Sequence, residues 1–161
     1  MKSTPPPEKK LELSVVIPCL NEEETLPATL ATIPRHIPGV EKIEILVIDD
    51  EPAIGSAIRR ALGHEYEVRV ATSAAEALRW VRAGERFDVI FCDLMMPHLT
   101  GVAFQAEVAA RYPEILPRLA FLTGGAFAPG AETFLATTGH RCLDKPFTRA
   151  TLLEAISAIL G

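Results

Sequence analysis

From residue 43 onward, two rhythms of apolar positions alternate along the chain. Residues 43–48 form an apolar run interrupted only by Glu44, and the run ends in Asp49-Asp50. Over 52–62, Ile54, Ala57, Ile58, Ala61 and Leu62 recur at helical spacing and share one face. Residues 66–71 alternate as a strand does. Thr72 or Ser73 then caps a helix, with Glu76 three positions after Ser73 in the capping-box pattern, and this helix runs to about Ala83 and stops at Gly84. The next strand, 88–92, leads into Asp93. A loop over 97–101 and a helix over 102–111 follow, the helix ended by Pro113. The strand 119–122 leads into Thr123, and Gly124-Gly125 opens a loop. A helix over 129–137 stops at Gly139, a short strand over 141–143 precedes Asp144-Lys145-Pro146, and Thr148 caps a last helix reaching Leu160.

Strand and helix thus repeat five times over 43–161. Continuous apolar strands joined by helices predict an α/β fold, a doubly wound parallel sheet with helices on both faces. Ligands of such sheets bind beyond the carboxyl ends of the strands. The residues at those ends are Asp49, Asp50, Asp93, Thr123 and Lys145, so three acids, a hydroxyl and an amine are expected to converge.

Composition narrows the class without changing this picture. The 161 residues are 48% hydrophobic and 23% charged, with a net charge of −5, which suits a globular domain. No block of Lys or Arg stands out, so neither a nucleic-acid nor a membrane partner is expected. Cys19, Cys92 and Cys142 are widely spaced and form no CxxC pair, and the four histidines never fall three or four apart. Reduced thiols and no zinc site follow. No apolar run is long enough to span a bilayer, and the polar residues 1–10, with Pro5, Pro6 and Pro7, do not read as a signal peptide. A cytoplasmic protein is expected.

Crowded carboxylates repel one another unless a cation intervenes. Mg²⁺, with its preference for hard oxygen ligands, answers that need. A hydroxyl can donate to a phosphoryl oxygen and a lysine can neutralise one. Such a set suits phosphoryl transfer to a carboxylate, where positioning and charge neutralisation carry most of the catalysis.

Four segments carry a family resemblance: 45–52 (Ile-Leu-Val-Ile-Asp-Asp-Glu-Pro), 88–97 (Asp-Val-Ile-Phe-Cys-Asp-Leu-Met-Met-Pro), 121–124 (Phe-Leu-Thr-Gly) and 144–147 (Asp-Lys-Pro-Phe). Together, and in this order, they resemble the signature segments of response-regulator receiver domains. The resemblance implies a flavodoxin-like fold and a phospho-accepting switch in two-component signal transduction, with a histidine kinase or phosphotransfer protein as phosphodonor. It makes Asp93 the phosphoacceptor. Asp50 becomes a direct Mg²⁺ ligand beside Asp93 and the carbonyl of Met95, and Asp49 acts through water and charge. Thr123 and Lys145 bind the phosphoryl group, and the peptide bond before Pro146 is cis. The Met95 and Met96 side chains read as gap-filling near the core, and Trp80 as packing. One position departs from the pattern. Many receivers carry Tyr or Phe three residues before the lysine, a ring that moves when the threonine engages phosphate, and here that residue is Cys142. The 141–147 run with Gly124-Gly125 looks more like receivers at the ends of hybrid sensor kinases.

Residues 14–27 (Ser-Val-Val-Ile-Pro-Cys-Leu-Asn-Glu-Glu-Glu-Thr-Leu-Pro) resemble the opening of inverting family 2 glycosyltransferases. In that family a first strand and helix lead into a second strand ending in Asp-Asp, which 45–50 could supply. The chain therefore reads as a polar tail (1–10), an extra strand-helix unit (11–42) and a receiver (43–161), as in a natural fusion or a chimera joined within a shared strand. The later Asp-x-Asp metal motif of glycosyltransferases is missing, so glycosyl transfer is not expected. The added strand is expected at the sheet edge beside 66–71. The alternative inserts it next to 45–50, giving six strands in the order 3-2-1-4-5-6 and separating Asp50 from Asp93 by one strand spacing, roughly 4.8 Å. A swapped homodimer is a third arrangement. The rival to a phospho-accepting receiver is a remodelled α/β scaffold without phosphotransfer, retaining a vestigial nucleotide site.

Overall fold

The computed structural model describes residues 42–124 and 131–161. Within them, five parallel strands form one sheet: β1 (Glu44–Ile48), β2 (Glu67–Ala71), β3 (Val89–Asp93), β4 (Leu119–Thr123) and β5 (Arg141–Asp144), in the order β2-β1-β3-β4-β5. The helices between and after them are α1 (Pro52–Leu62), α2 (Ala74–Arg82), α3 (Gly101–Arg111), α4 (Ala131–Thr138) and α5 (Arg149–Leu160). The continuous apolar runs became the three central strands. Every residue of β3 and β4 is buried, and so is all of β1 but Glu44. The edge strand β5 buries only Leu143.

The two-residue period of the strands sorts the core into two layers. Leu46, Ile48, Ile90, Cys92, Leu119 and Phe121 face α2 and α3, with Trp80 and Phe134 packed against them. Ile45, Val47, Val89, Phe91, Ala120, Leu122 and Leu143 face Ile58 and Leu62 of α1 and Leu152, Ala155 and Ile156 of α5.

Local signals act largely where the sequence places them. Pro52 opens α1, where its missing N–H costs nothing. Ser73 accepts the Glu76 N–H at 3.2 Å. The Glu76 carboxylate, however, reaches back to the Thr72 N–H at 3.0 Å rather than to that of Ser73. Thr100 caps α3 by accepting from Ala103 N–H, Thr148 and Thr151 form a reciprocal box at α5, and Gly139 takes the left-handed φ of 67° that follows the end of α4. A 3₁₀ helix over Pro113–Arg118 was not foreseen. Pro113 ends α3 and Pro117 recurs four residues later, so this connection takes a tighter turn instead of extending an α-helix.

One alternative is overturned. Ile45, Leu46, Val47 and Ile48 of β1 pair directly with Val89, Ile90, Phe91 and Cys92 of β3. No strand stands between them, so the inserted six-strand order 3-2-1-4-5-6 does not occur. The other side of β1 is paired with β2. The expected strand-helix unit at 11–42 lies outside the described residues, apart from Lys42, as does the start of the helix expected from 129.

Candidate phosphoryl-transfer site

The strand ends bring the expected residues together at one edge of the sheet. Asp49 follows β1 and is 1% exposed, Asp93 closes β3 and is 6% exposed, and Thr123 closes β4 and is 2% exposed. Asp50, one residue further from the sheet, is exposed. Carboxylate oxygens of Asp49, Asp50 and Asp93 all lie within 4.8 Å of one another.

Lys145, just past β5, reaches over this cluster. Its Nζ donates to Asp49 Oδ2 at 2.8 Å and to Asp93 Oδ1 at 2.9 Å. Its backbone N–H donates to the Thr123 carbonyl at 2.6 Å, and the bond that follows it, to Pro146, is cis. Asp49 is held from its other side by the Glu51 N–H, which donates to Oδ1 at 2.9 Å. Burial pushes the Asp93 carboxyl above its ordinary value, a rise that Lys145 opposes without cancelling. Burial also works against the charge of Lys145, but its bonds to Asp49 and Asp93 outweigh that and hold the ammonium above its usual range. Cys92, next to Asp93 and wholly buried, has its thiol pushed well up by burial and by the neighbouring acids, so it stays a neutral packing residue.

The loop after β3 is fixed from behind. Leu94 N–H donates to Leu122 O, and Gly101 N–H donates to Leu94 O. A Cβ at Gly101 would come within 2.5 Å of the Asp93 carbonyl oxygen, so only glycine lets α3 begin this close to the acid.

One expectation, for the Met95 side chain, needs correction. Met96 is buried in the core, but Met95 is 45% exposed and does not fill a gap. The chain bends at Leu94-Met95, which leaves the Met95 side chain outward while Leu94 and Met96 stay buried. Thr123 stands beside the acids but is not turned to them, since its hydroxyl donates to Asp144 Oδ1 at 2.7 Å. Asp144 is a site residue that motif reading passed over. Its signal was the pairing of β4 with β5, which sets it opposite Thr123. Cys142, at the expected aromatic position, is exposed, and its thiol donates to the His140 carbonyl at 3.7 Å. Phe121 is instead met edge-on by Phe134 and His140.

A five-stranded parallel sheet with clustered acids and a lysine at its carboxyl edge defines an α/β domain equipped for phosphoryl chemistry. A family model described as "Response regulator receiver domain" matches residues 45–157, and the chain belongs to that family, the phospho-accepting domains of two-component signal transduction. A second model, "Glycosyl transferase family 2", matches residues 14–74. Among curated proteins, the chain is similar to Response regulator MprA of Mycobacterium leprae (33% identity over 119 residues, 73% of this chain and 51% of that protein). It is also similar to Transcriptional regulatory protein TrcR of Mycobacterium tuberculosis (29% over 136 residues, 83% and 51%). A shorter match, 46% over 72 residues, links it to Hydrogenase transcriptional regulatory protein HoxA of Cupriavidus necator and covers 45% of this chain and 15% of that protein. The chain thus spans about half or less of the length of these relatives. Among solved structures, a CheY-like receiver domain protein from Methanospirillum hungatei superposes with a TM-score of 0.65 at 27% identity, covering 74% of this chain and 94% of that one. A receiver domain protein from Clostridium thermocellum gives 0.61 at 31%, covering 73% and 93%. Among the described residues, no helix is long and apolar enough to cross a membrane.

Proposed function

We propose that Asp93 accepts the phosphoryl group, from a histidine kinase or phosphotransfer protein, and that the resulting acyl phosphate changes how the domain meets a partner. The observation that carries this reading is the seating of Lys145 Nζ between Asp49 and Asp93, at 2.8 and 2.9 Å. A carboxylate oxygen of Asp93 attacks phosphorus, the bond from phosphorus to the donor breaks, and its electron pair leaves with the donor. Lys145 can turn from carboxylate to phosphoryl oxygen without leaving the site. Its raised proton affinity keeps it charged throughout.

The donor set fits Mg²⁺. Three carboxylates against one ammonium leave two negative charges, the complement of one divalent ion. Two oxygens on one Mg²⁺ lie at most about 4.2 Å apart, close to the 4.8 Å within which the carboxylate oxygens already lie. We assign Asp50, Asp93 and the Met95 carbonyl as direct ligands, with Asp49 acting through water and charge. A bound Mg²⁺ would neutralise charge on the transferring phosphoryl oxygens. With acetyl phosphate as donor, intact mass should show one added phosphoryl group in the presence of Mg²⁺. The rate should fall at least about tenfold with a chelator or in Asp50→Ala. Equal rates with and without metal would remove Mg²⁺ from the account.

Met95 sets a second expectation. Hydrolysis of an acyl phosphate needs a water in line with phosphorus, and an exposed methionine beside Asp93 offers only a weak acceptor sulfur to hold it. Met95→Asn should therefore shorten the phosphate's lifetime by roughly 5- to 30-fold, the worth of one water-positioning contact of about 1–2 kcal/mol. The decay is followed after removing the donor at fixed Mg²⁺, and equal lifetimes would refute the Met95 argument alone.

The match over 14–74 overlaps the receiver match from residue 45. It supports reading 11–42 as a strand-helix unit of glycosyltransferase ancestry joined to a receiver at 43–161 through the shared β1.

A further inference from the structure

The proton that Thr123 would give to a phosphoryl oxygen is already committed. A threonine hydroxyl carries one proton, and here it is donated to Asp144 Oδ1 at 2.7 Å. The acceptor is a carboxylate, which makes the bond charge-assisted and stronger than a neutral one.

Sheet register explains the pairing. In the parallel β4–β5 ladder Thr123 stands opposite Asp144, so both side chains project from the same face. In the β3–β4 ladder Asp93 stands opposite Leu122, one step out of phase with Thr123. Leu122 belongs to the core layer under α1 and α5, while Phe121, in phase with Thr123, belongs to the other. Lys145, one residue after Asp144, returns to the Asp93 side and finds both acids there. The bond from Lys145 N–H to Thr123 O fixes the two strand ends and keeps Asp144 in reach. Asp144 itself is exposed on an edge strand and contributes nothing to the core.

We infer that Asp144 is a positioning residue that holds the Thr123 hydroxyl away from Asp93, so that a phosphoryl group must win this proton from a carboxylate before the threonine can engage it. This inference rests on the reading of Asp93 as the phosphoacceptor. The dependence on Thr123 gives Asp144 a signature that neither a packing role nor a general field effect shares.

The test uses beryllium fluoride with Mg²⁺ as a phosphoryl analogue, its affinity measured calorimetrically on the full chain. Asp144→Ala should tighten binding about tenfold, since a hydrogen bond to a charged group no longer has to be broken. Asp144→Asn, which keeps an acceptor but not the charge, should fall between the two. In a Thr123→Ala background, Asp144→Ala should add nothing. Unchanged or weaker binding by Asp144→Ala would overturn the inference. So would the same gain in the Thr123→Ala background, which would mean that Asp144 acts only by its charge. If the parent bound no beryllium fluoride and Asp93 took no phosphate, the reading of the site would fail and the inference with it. Phosphorylation of Asp93 with no effect of Asp144→Ala would sink the inference alone.

Discussion

Lys145→Ala should lower the stability of the domain by about 3 kcal/mol at neutral pH, the usual cost of removing one partner from a buried ion pair. Among the described residues the lysine is the one cation that touches both Asp49 and Asp93, and without it two nearly inaccessible carboxylates face each other. The loss should depend on pH in a defined direction. As pH falls through the raised value of Asp93, that carboxyl takes up its proton and the variant should approach the parent. The lysine's proton affinity is raised in the fold, so its contribution is fully present below its ordinary value of 10.5 and disappears as pH rises through the higher folded value. Mg²⁺ should recover part of the loss, because a divalent ion answers the same repulsion. Denaturant unfolding at neutral and acid pH, with and without Mg²⁺, measures all of this. A variant as stable as the parent at neutral pH would mean that the ion pairs carry little of the site's charge balance.

Most of the fold was legible because the central strands are buried on both faces. Val-Ile-Phe-Cys at 89–92 and Leu-Ala-Phe-Leu at 119–122 have no polar side to hide, and each run stops at the polar residue that the site uses, Asp93 or Thr123. Lys145 and Asp49 are 96 residues apart in sequence, yet both follow strands, and that was enough to expect them together. What was not legible depends on register. Whether Thr123 meets Asp93 or Asp144 turns on a one-residue phase between neighbouring strands, and apolar patterning in β4 does not fix how β5 aligns with it. The exposure of Met95 beside the buried Met96 is likewise a matter of where the chain turns after β3. The placement of Asp50 relative to Asp93 was undecided between two strand orders, because the 14–27 segment offers a competing strand with the same apolar character as β1. Direct pairing of β1 with β3 settles that point in favour of adjacent acids.

Asp93→Asn carries the other large effect, and it acts in opposite directions on stability and on chemistry. Burial disfavours the ionised carboxylate more than Lys145 favours it, which leaves its proton affinity raised. An acid whose folded value lies above its unfolded one binds protons more tightly in the fold, so it costs stability at pH values above the folded one. A neutral amide should therefore stabilise the domain by about 1 kcal/mol at neutral pH, as expected where function is maintained against stability. The gain should shrink as pH falls through the raised value and vanish below the ordinary 3.8. The same substitution removes the attacking oxygen. The most direct measurement is intact mass and peptide mapping after incubation with acetyl phosphate and Mg²⁺, parent beside Asp93→Asn. The account predicts one base-labile, hydroxylamine-sensitive phosphoryl group on the parent, mapping to Asp93, and none on the variant. Modification of the variant to the same extent, or mapping to any other residue of the parent, would contradict it.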